Sequence, residues 1–456
     1  MWEKIYAVTD FLWGTPLMIL MVGVGFYLSL RTGFFQITGI RTWWKATVGE
    51  ILGKTKTSDS EGAGEMKPFQ AMATVMAGTV GSGNIAGVAT AIAAGGPGAV
   101  FWMWIISLVG MMTKMAEVTL SVAYRKKNED GEYFGGPMHY MKTALGKAGA
   151  VLAGFYAVAL LIEVLADACF VQTNTLAVCV NDVYGIPMVP IAVVVVGISA
   201  LIIFTGGVKK IGDFCGKMVP AMVAVYIVSC IIVIGMNAAR IPSAFAMIIQ
   251  YAFKPAPAVG GFLGSTVSLA MARGAARGIF SNEAGMGTAG IAHGTAAVAH
   301  PAEQGMMGIM EVFLDTIVIC TLTALVILVS GVPIPYGTDA GGSLTSDAFS
   351  AVCGGWSTLF LAVSICCFAL ATVLGWGLYG LRCARFLLGK GSEKWFVLLQ
   401  MGASLLGTVL KTGVIWTMAE TVNGFMAIPN LLALACLSGE VVGLTREYMQ
   451  QKSIGR

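Results

Sequence analysis

The sequence is poor in charge, with Asp, Glu, Lys and Arg making up only 11% of 456 residues, and it holds just three histidines. A soluble globular chain uses about 25% charged residues to cover its surface. Their scarcity excludes an ordinary soluble fold and makes lipid part of the solvent. Positive charge is never concentrated: the longest basic run is Arg125-Lys126-Lys127 and the net charge is only +4, which disfavours nucleic acid as a partner. The ten cysteines contain no C-x-x-C pair and none lies near a histidine at zinc-ligand spacing. Six of them, Cys169, Cys179, Cys230, Cys320, Cys366 and Cys367, fall in apolar runs and read as small apolar side chains. The first apolar stretch lacks a small-residue cleavage site and a basic flank, so a retained helix is expected rather than a signal peptide. No nucleophile–base set or metal cluster falls within one membrane layer, so neither an enzyme nor a cofactor is expected.

What is abundant is apolar: 57% of residues are hydrophobic and the mean hydropathy is +0.80. A span of the hydrocarbon core needs about 20 residues, and the apolar stretches predict eleven spans, at 11–30, 68–94, 98–122, 150–179, 187–206, 218–237, 260–289, 304–330, 354–381, 395–413 and 421–443. The fold class is therefore an all-α polytopic membrane protein. The loops at 31–67, 123–149, 207–217, 382–394 and 444–456 carry 21 Lys and Arg, against three (Lys4, Arg240 and Lys254) in the alternate set. By the positive-inside rule the N-terminus lies outside and the C-terminus in the cytoplasm. Residues Thr32 to Leu52, with Phe34, Phe35, Trp43 and Trp44 among Arg41 and Lys45, predict an amphipathic helix in the inner interface.

Two spans are dense in glycine. The second contains Gly78-Thr-Val-Gly81-Ser-Gly83-Asn84-Ile-Ala-Gly87, and the seventh Gly278-Ile-Phe-Ser281-Asn282-Glu283-Ala-Gly285-Met-Gly287-Thr-Ala-Gly290. Each glycine weakens a helix by about 1 kcal/mol, so both spans should be broken, and unwound backbone in a membrane persists only where protein, water or ligand satisfies it. Glycine in one such helix serves close packing more often than binding. Two gaps five spans apart, each with a central Asn (Asn84, Asn282), point instead to an inverted-repeat transporter. The order Gly81-x-Gly83-x-x-x-Gly87 follows no strand and lacks Gly-Lys-Ser/Thr, which excludes a nucleotide loop.

Val80 to Ile92, Gly95-Gly96-Pro97-Gly98 through Trp104, and Ser281-Asn282-Glu283-Ala284-Gly285-Met286-Gly287-Thr288-Ala289 resemble the alanine or glycine:cation symporter family. So do Phe134-Gly135-Gly136-Pro137-Met138 and Gly375-Trp376-Gly377-Leu378-Tyr379-Gly380, and the likeness runs from about residue 10 to about 445. The resemblance implies a LeuT-type fold of five plus five inverted helices with one additional N-terminal helix. It also implies sodium-driven uptake of small neutral amino acids across a prokaryotic plasma membrane. The division expected is 1–67 for the extra helix and amphipathic segment, 68–240 and 241–445 for the two repeats, and 446–456 for a cytoplasmic tail.

A zwitterion in a dry site needs donors for its carboxylate, and the half-helix after the first break offers N–H groups and a positive dipole end at Gly81, Ser82, Gly83 and Asn84. Carbonyls near Phe280 and Ser281, with Gln172 and Thr372, would accept from its ammonium, and Thr79 and Asn282 complete the candidate pocket. By resemblance Gln172, Thr372 and Trp376 line it, Trp376 as a ceiling that limits side-chain size. Sodium prefers oxygen ligands; matching the break to the family's pattern places the carbonyls of Ala77 and Val80 opposite one at Phe368 or Ala369 and the Thr372 hydroxyl. Proton coupling, a larger substrate such as glutamine, and a non-transporting sensor of the same fold are the alternatives.

Charges inside spans are costly and kept for pairing or function. Lys114 with Glu117, three apart, reads as a structural ion pair, and Arg273 and Arg277 as members of ion pairs or gates. Glu163 with Asp167, and Glu311 with Asp315, each set two acids on one face; a pair without a basic partner could hold a proton or a second cation. His139, His293 and His300 are expected at membrane edges.

Overall fold

The computed structural model describes residues 9, 11–13, 15–52, 66–81, 83–129, 131–255, 266–338, 341–410 and 412–454. The described residues are almost entirely helical, and the sheet among them is one two-residue hairpin, β1 (Lys126–Lys127) with β2 (Tyr133–Phe134). In order the helices are α1 (Thr15–Arg31), α2 (Ile40–Ile51), α3 (Pro68–Thr79), α4 (Val88–Gly95), α5 (Ala99–Ala123), α6 (Pro137–Ala144), α7 (Gly146–Glu163), α8 (Gln172–Tyr184), α9 (Met188–Met236) and α10 (Ile241–Phe253). The second half continues with α11 (Val267–Asn282), α12 (Thr288–His293), α13 (Pro301–Val312), α14 (Thr321–Ser330), α15 (Ser343–Cys353), α16 (Trp356–Leu388), α17 (Ser392–Gly407), α18 (Thr412–Cys436) and α19 (Ser438–Ile454). Five continuous helical runs among the described residues are long and apolar enough to cross a membrane, and two bent pairs raise this to seven. One bent pair is α3 with the helix after the first glycine gap, at 54°.

The glycine-rich spans break where expected. Pro68 starts α3, and the Gln70 side chain accepts from the Lys67 N–H at 3.0 Å, a local cap that fixes its first turn. The helix stops at Thr79, and a single π-helical turn, Gly83–Gly87, leads into α4. In the second half α11 stops at Asn282; Glu283 (φ 52°), Gly285 (φ 105°) and Gly287 (φ 83°) turn the chain through left-handed conformations that only glycine adopts without strain.

Elsewhere the periodicity runs past the expected boundaries. The segment 207–217, expected as a loop, is helix, because Ile211 and Cys215 continue a buried stripe after the kink at Gly207. The turn expected at 414–420 is likewise inside α18, and the chain bends instead by 60° between α18 and α19. The spans 150–179 and 304–330 are interrupted by π-helical segments, Val164–Val171 and Phe313–Cys320, which the apolar pattern does not distinguish from α-helix. The expected interfacial helix is present as α2, where Trp43 is buried against Phe313 and Trp44 stays exposed.

The core centres on α5, against which α11 and α13 pack. Gly305 and Gly308 on α13 permit the approach: a Cβ at Gly308 would lie 3.1 Å from Lys114 Cγ. Lys114 meets Glu311 there at 3.1 Å rather than Glu117, correcting the pairing expected from spacing.

Candidate functional site

The two breaks touch. A Cβ at Gly83 would lie 3.2 Å from Ser281 Cα, so glycine lets the backbones meet. Asn84 then ties both breaks to the π-helical segment after α13. Its Oδ1 accepts from the Gly81 N–H at 2.8 Å, and its Nδ2 donates to Ser281 Oγ at 3.0 Å and Asp315 Oδ1 at 2.7 Å. Ser281 Oγ and Thr316 Oγ1 each donate to Asp315 Oδ2 at 2.8 Å. Asp315 is therefore a buried acceptor shared by both half-helices.

Glu117 does the same work for the turn after α11. Its Oε1 accepts from the Gly285 and Gly287 N–H groups at 2.8 and 3.1 Å and from Asn430 Nδ2 at 2.7 Å. These are backbone donors that unwinding would otherwise leave orphaned. Asn430 also accepts from the Tyr140 hydroxyl, so α6, α18 and the second break are held as one unit.

Two cavities meet at the breaks. The narrow one, about 20 Å3, is lined by Gly78, Thr79, Gly81, Gly83, Asp167, Gln172, Phe280, Glu283, Thr372 and Asn423. The wide one, about 840 Å3, shares Gly81, Gly83, Gln172 and Phe280 with it and continues past Phe368 and Ala369 to Arg277, Glu420, Trp416 and the start of α15 at Ser343. Along α16 the order is Phe368 and Ala369 in the wide cavity, then Thr372 in the narrow one, then Trp376 in neither. Trp376 packs on Gly78, where a Cβ would lie 2.5 Å from its Nε1. It is thus one turn beyond Thr372, on the side away from the wide cavity: a floor, where a ceiling was expected.

Of the expected site residues, Thr79, Gly81, Gly83, Gln172, Phe280 and Thr372 line the cavities. Besides Trp376, three expected substrate contacts do not. Asn84 and Ser281 spend their polar atoms on Asp315, and Asn282 turns away, capping the Ala284 N–H at 3.0 Å and donating to Thr316 at 3.1 Å. Gly81 lines the site, yet its N–H is already held by Asn84. Ser82 lies outside the described residues. For the cation, the Thr372 hydroxyl lies 2.8 Å from the Ala77 carbonyl and 3.0 Å from that of Phe368. The hydroxyl thus brings these two carbonyls together, the Phe368 contact being its bond back along its own helix. Val80 and Ala369 are buried beside them.

His293 does not face an exposed interface. It is fully buried, with Nε2 3.2 Å from Glu311 and Nδ1 2.6 Å from Gln304, because α12 folds back into the core after the second break. Arg277 faces Glu420 at 3.8 Å across the wide cavity. The end of the molecule reached by α16 beyond Trp376 is closed: Arg382 lies over the Phe134 ring at 3.9 Å, and Glu132 receives Arg382 and Arg385 at 3.1 and 3.3 Å. The Gly135 backbone there touches Gly294, which explains the glycine pair before Pro137.

The profile of the sodium:alanine symporter family matches residues 1–456. This chain belongs to that family. A sodium/alanine symporter of Methanococcus maripaludis is 37% identical over 97% of this chain and 96% of its own length. A probable sodium/glutamine symporter of Bacillus subtilis is 35% identical over 98% of this chain and 90% of its own. Among solved structures, a substrate-bound, outward-open sodium-coupled sialic acid symporter superposes with a TM-score of 0.50 at 14% identity, covering 95% of this chain and 86% of that one. The fold is LeuT-like, and the sodium:alanine symporter family is one of multi-pass membrane transporters, not of enzymes. Within this family member, sequence reasoning missed Glu117 and Asp315 as clamps on the breaks and Asn423 as a cavity residue. Spacing marked the two acids as unusual, but their partners lie on distant helices.

Proposed function

We propose that this chain carries small neutral amino acids, alanine and glycine first, into the cell together with sodium, by alternating access around the two breaks. The observation that carries the reading is that both half-helices end at one narrow cavity, which opens into a wide one at one end and is closed at the other. Gly81, Gly83, Gln172 and Phe280 stand where the two cavities join, and the wide cavity beside them has room for a small amino acid, with Thr79 and Thr372 just beyond in the narrow one. Sodium takes the Ala77, Phe368 and Thr372 oxygens, with Val80 or Ala369 supplying a further carbonyl. In this reading 68–240 and 241–445 are the inverted repeats of an eleven-span protein, flanked by the 1–67 and 446–456 segments. The N-terminus is outside, so the wide cavity opens outward and the Glu132–Arg382 layer is the cytoplasmic closure.

A glutamine-sized substrate is the second reading. It is supported by Trp376 lying under the site, which leaves the wide cavity free to take a longer side chain, and by the relative named as a glutamine symporter. Uptake of labelled alanine into proteoliposomes, under an inward sodium gradient and with potassium as control, tests the proposal. Sodium-dependent accumulation competed by glycine supports it; competition by glutamine alone selects the second reading, and no sodium-dependent uptake of either rejects both.

A further inference from the structure

The carboxyls inside the helical core of this protein differ in how they are compensated. Asp315 receives three side-chain donors, Glu117 two backbone amides and an Asn, and Glu311 both Lys114 and His293. Three others have far less. Glu163 is fully buried, and neither of its oxygens has a partner among the described residues. Asp167, one turn on, has a single weak donor, Gln172 at 3.2 Å, and Glu283 has Thr288 at 2.7 Å. Asp167 and Glu283 both face the narrow cavity.

The same cavity holds two more unsatisfied oxygens. Thr79 Oγ1 and Asn423 Oδ1 line it, on residues 4% and 5% exposed, and neither has a hydrogen-bond partner among the described residues. A buried polar atom without a protein partner needs a water or an ion to satisfy it, and here two such oxygens converge on one cavity beside two carboxyls. The volume, about 20 Å3, fits one water-sized body and not an amino acid. The groups around it are oxygens, two of them carboxylate, which selects a hard cation over an anion or a neutral solute.

Among the described residues Lys114 is the cation whose charge reaches this set, through Glu283. The charged and titratable groups facing it are Glu163 on its own helix, Glu420 on α18, Lys114 on α5, Glu311 on α13 and Tyr379 on α16. Lys114 is committed to Glu311. Arg277 lies across from Glu420, in the wide cavity. A zwitterionic substrate brings no net charge to offset the acids. We infer that the narrow cavity is a second monovalent-cation site, held by Asp167, Glu283, Thr79 Oγ1 and Asn423 Oδ1 and adjoining the Ala77–Phe368–Thr372 oxygens, with Thr372 in the wall between them. It takes a sodium ion or a proton. This rests on the symport reading above.

The test counts ions. In wild-type proteoliposomes, labelled sodium and labelled alanine are followed together with internal pH. Two sodium ions per alanine, or one sodium and one proton, support the site and identify its ion; one sodium with no proton movement overturns it. Each ion descending a tenfold gradient multiplies accumulation by about ten. With sodium as the second ion and no membrane potential, wild type should therefore reach about 100-fold and Asp167→Asn about tenfold. Glu283→Gln gives a second variant should Asp167→Asn fail to fold. The unfolding temperature of purified protein, titrated with sodium chloride and with pH against choline chloride, needs no transport. Wild type should show one cation-dependent stabilisation more than Asp167→Asn. Equal responses overturn the site, whereas an absence of uptake alongside intact cation stabilisation would reject only the symport reading.

Discussion

The Asn84 amide donates to the Asp315 carboxylate at 2.7 Å across 231 residues of sequence, and this contact joins the first break to the helix that also holds the second. Because Ser281 donates to the other oxygen of the same carboxylate, neither half-helix can shift without breaking a buried charge-assisted hydrogen bond. Asn84 acts as a strut between the gaps, and the substrate's carboxylate must find its donors elsewhere.

The first prediction concerns that strut. Asn84→Ala leaves Asp315 Oδ1 and the Gly81 N–H unsatisfied at a buried site, at a cost of about 1–3 kcal/mol per orphaned group. Uptake should fall to background and the unfolding temperature should drop. Asn84→Asp, which places two carboxyls in contact, should be worse. Asp315→Asn keeps an acceptor oxygen and should retain more stability than Asn84→Ala. If Asn84→Ala lowered uptake without any loss of stability, the residue would be a substrate ligand and not a strut.

The second concerns Thr372. Its hydroxyl is 2.8 Å from the Ala77 carbonyl and 3.0 Å from that of Phe368. Thr372→Ser preserves the oxygen and should leave the sodium half-saturation within about threefold. Thr372→Val removes one ligand of comparable shape and should raise it about tenfold, equivalent to about 1.4 kcal/mol. Sodium activation curves at saturating alanine measure both, and equal curves for the two variants would exclude Thr372 from the sodium site.

How much of this was legible in the sequence depends on distance along the chain. Both helix breaks could be placed from glycine density, because the cost of glycine in a helix is local. The family resemblance carried Gln172 and Thr372 to the cavity, and carried Trp376 there as well, although it lines neither cavity. Pairing between helices could not be read in this way. Lys114 and Glu117 are neighbours on one face, yet Gly305 and Gly308 draw α13 so close that Lys114 finds Glu311 and leaves Glu117 to cap the second break. Nor does hydropathy foretell that α12 folds inward, and it is this fold that buries His293. The π-helical segments at Val164–Val171 and Phe313–Cys320 keep an α-like apolar pattern while turning Asp167 toward the narrow cavity and Asp315 toward the breaks.

The third prediction is a pH dependence at the closed end. Burial, together with Lys126, Lys142 and Arg382 around it, pushes His139 down to about 4 from its ordinary value near 6.5. The folded form thus binds the proton less readily than the unfolded chain. The contribution of neutral His139 to stability is complete above about pH 6.5 and is lost progressively as pH falls towards 4. The unfolding temperature of wild type should drop between about pH 7.5 and 5, and His139→Gln should drop less. A parallel decline in both proteins would show that other groups set the acid sensitivity.

The last prediction concerns the closure itself. The Phe134 ring lies between Arg382 at 3.9 Å and Arg385 at 5.0 Å, and Glu132 accepts from both arginines. Cation–π contacts are worth up to about 2 kcal/mol when desolvated, so removing the ring takes away more than the exposed half of the ion pairs does. Phe134→Ala should shift the population towards opening at this end, while Glu132→Gln, at a carboxylate 37% exposed, should shift it less. Cys383, the residue after Arg382, is fully buried and reports the opening. Its labelling by a membrane-impermeant maleimide in inside-out vesicles, read by mass spectrometry, should accelerate about tenfold in Phe134→Ala for a shift of about 1.4 kcal/mol. The same acceleration in right-side-out vesicles would place this end outside and invert the topology. An unchanged rate from either side would mean that Phe134 packs without gating, and the closure would then rest on the Gly135–Gly294 contact beneath it.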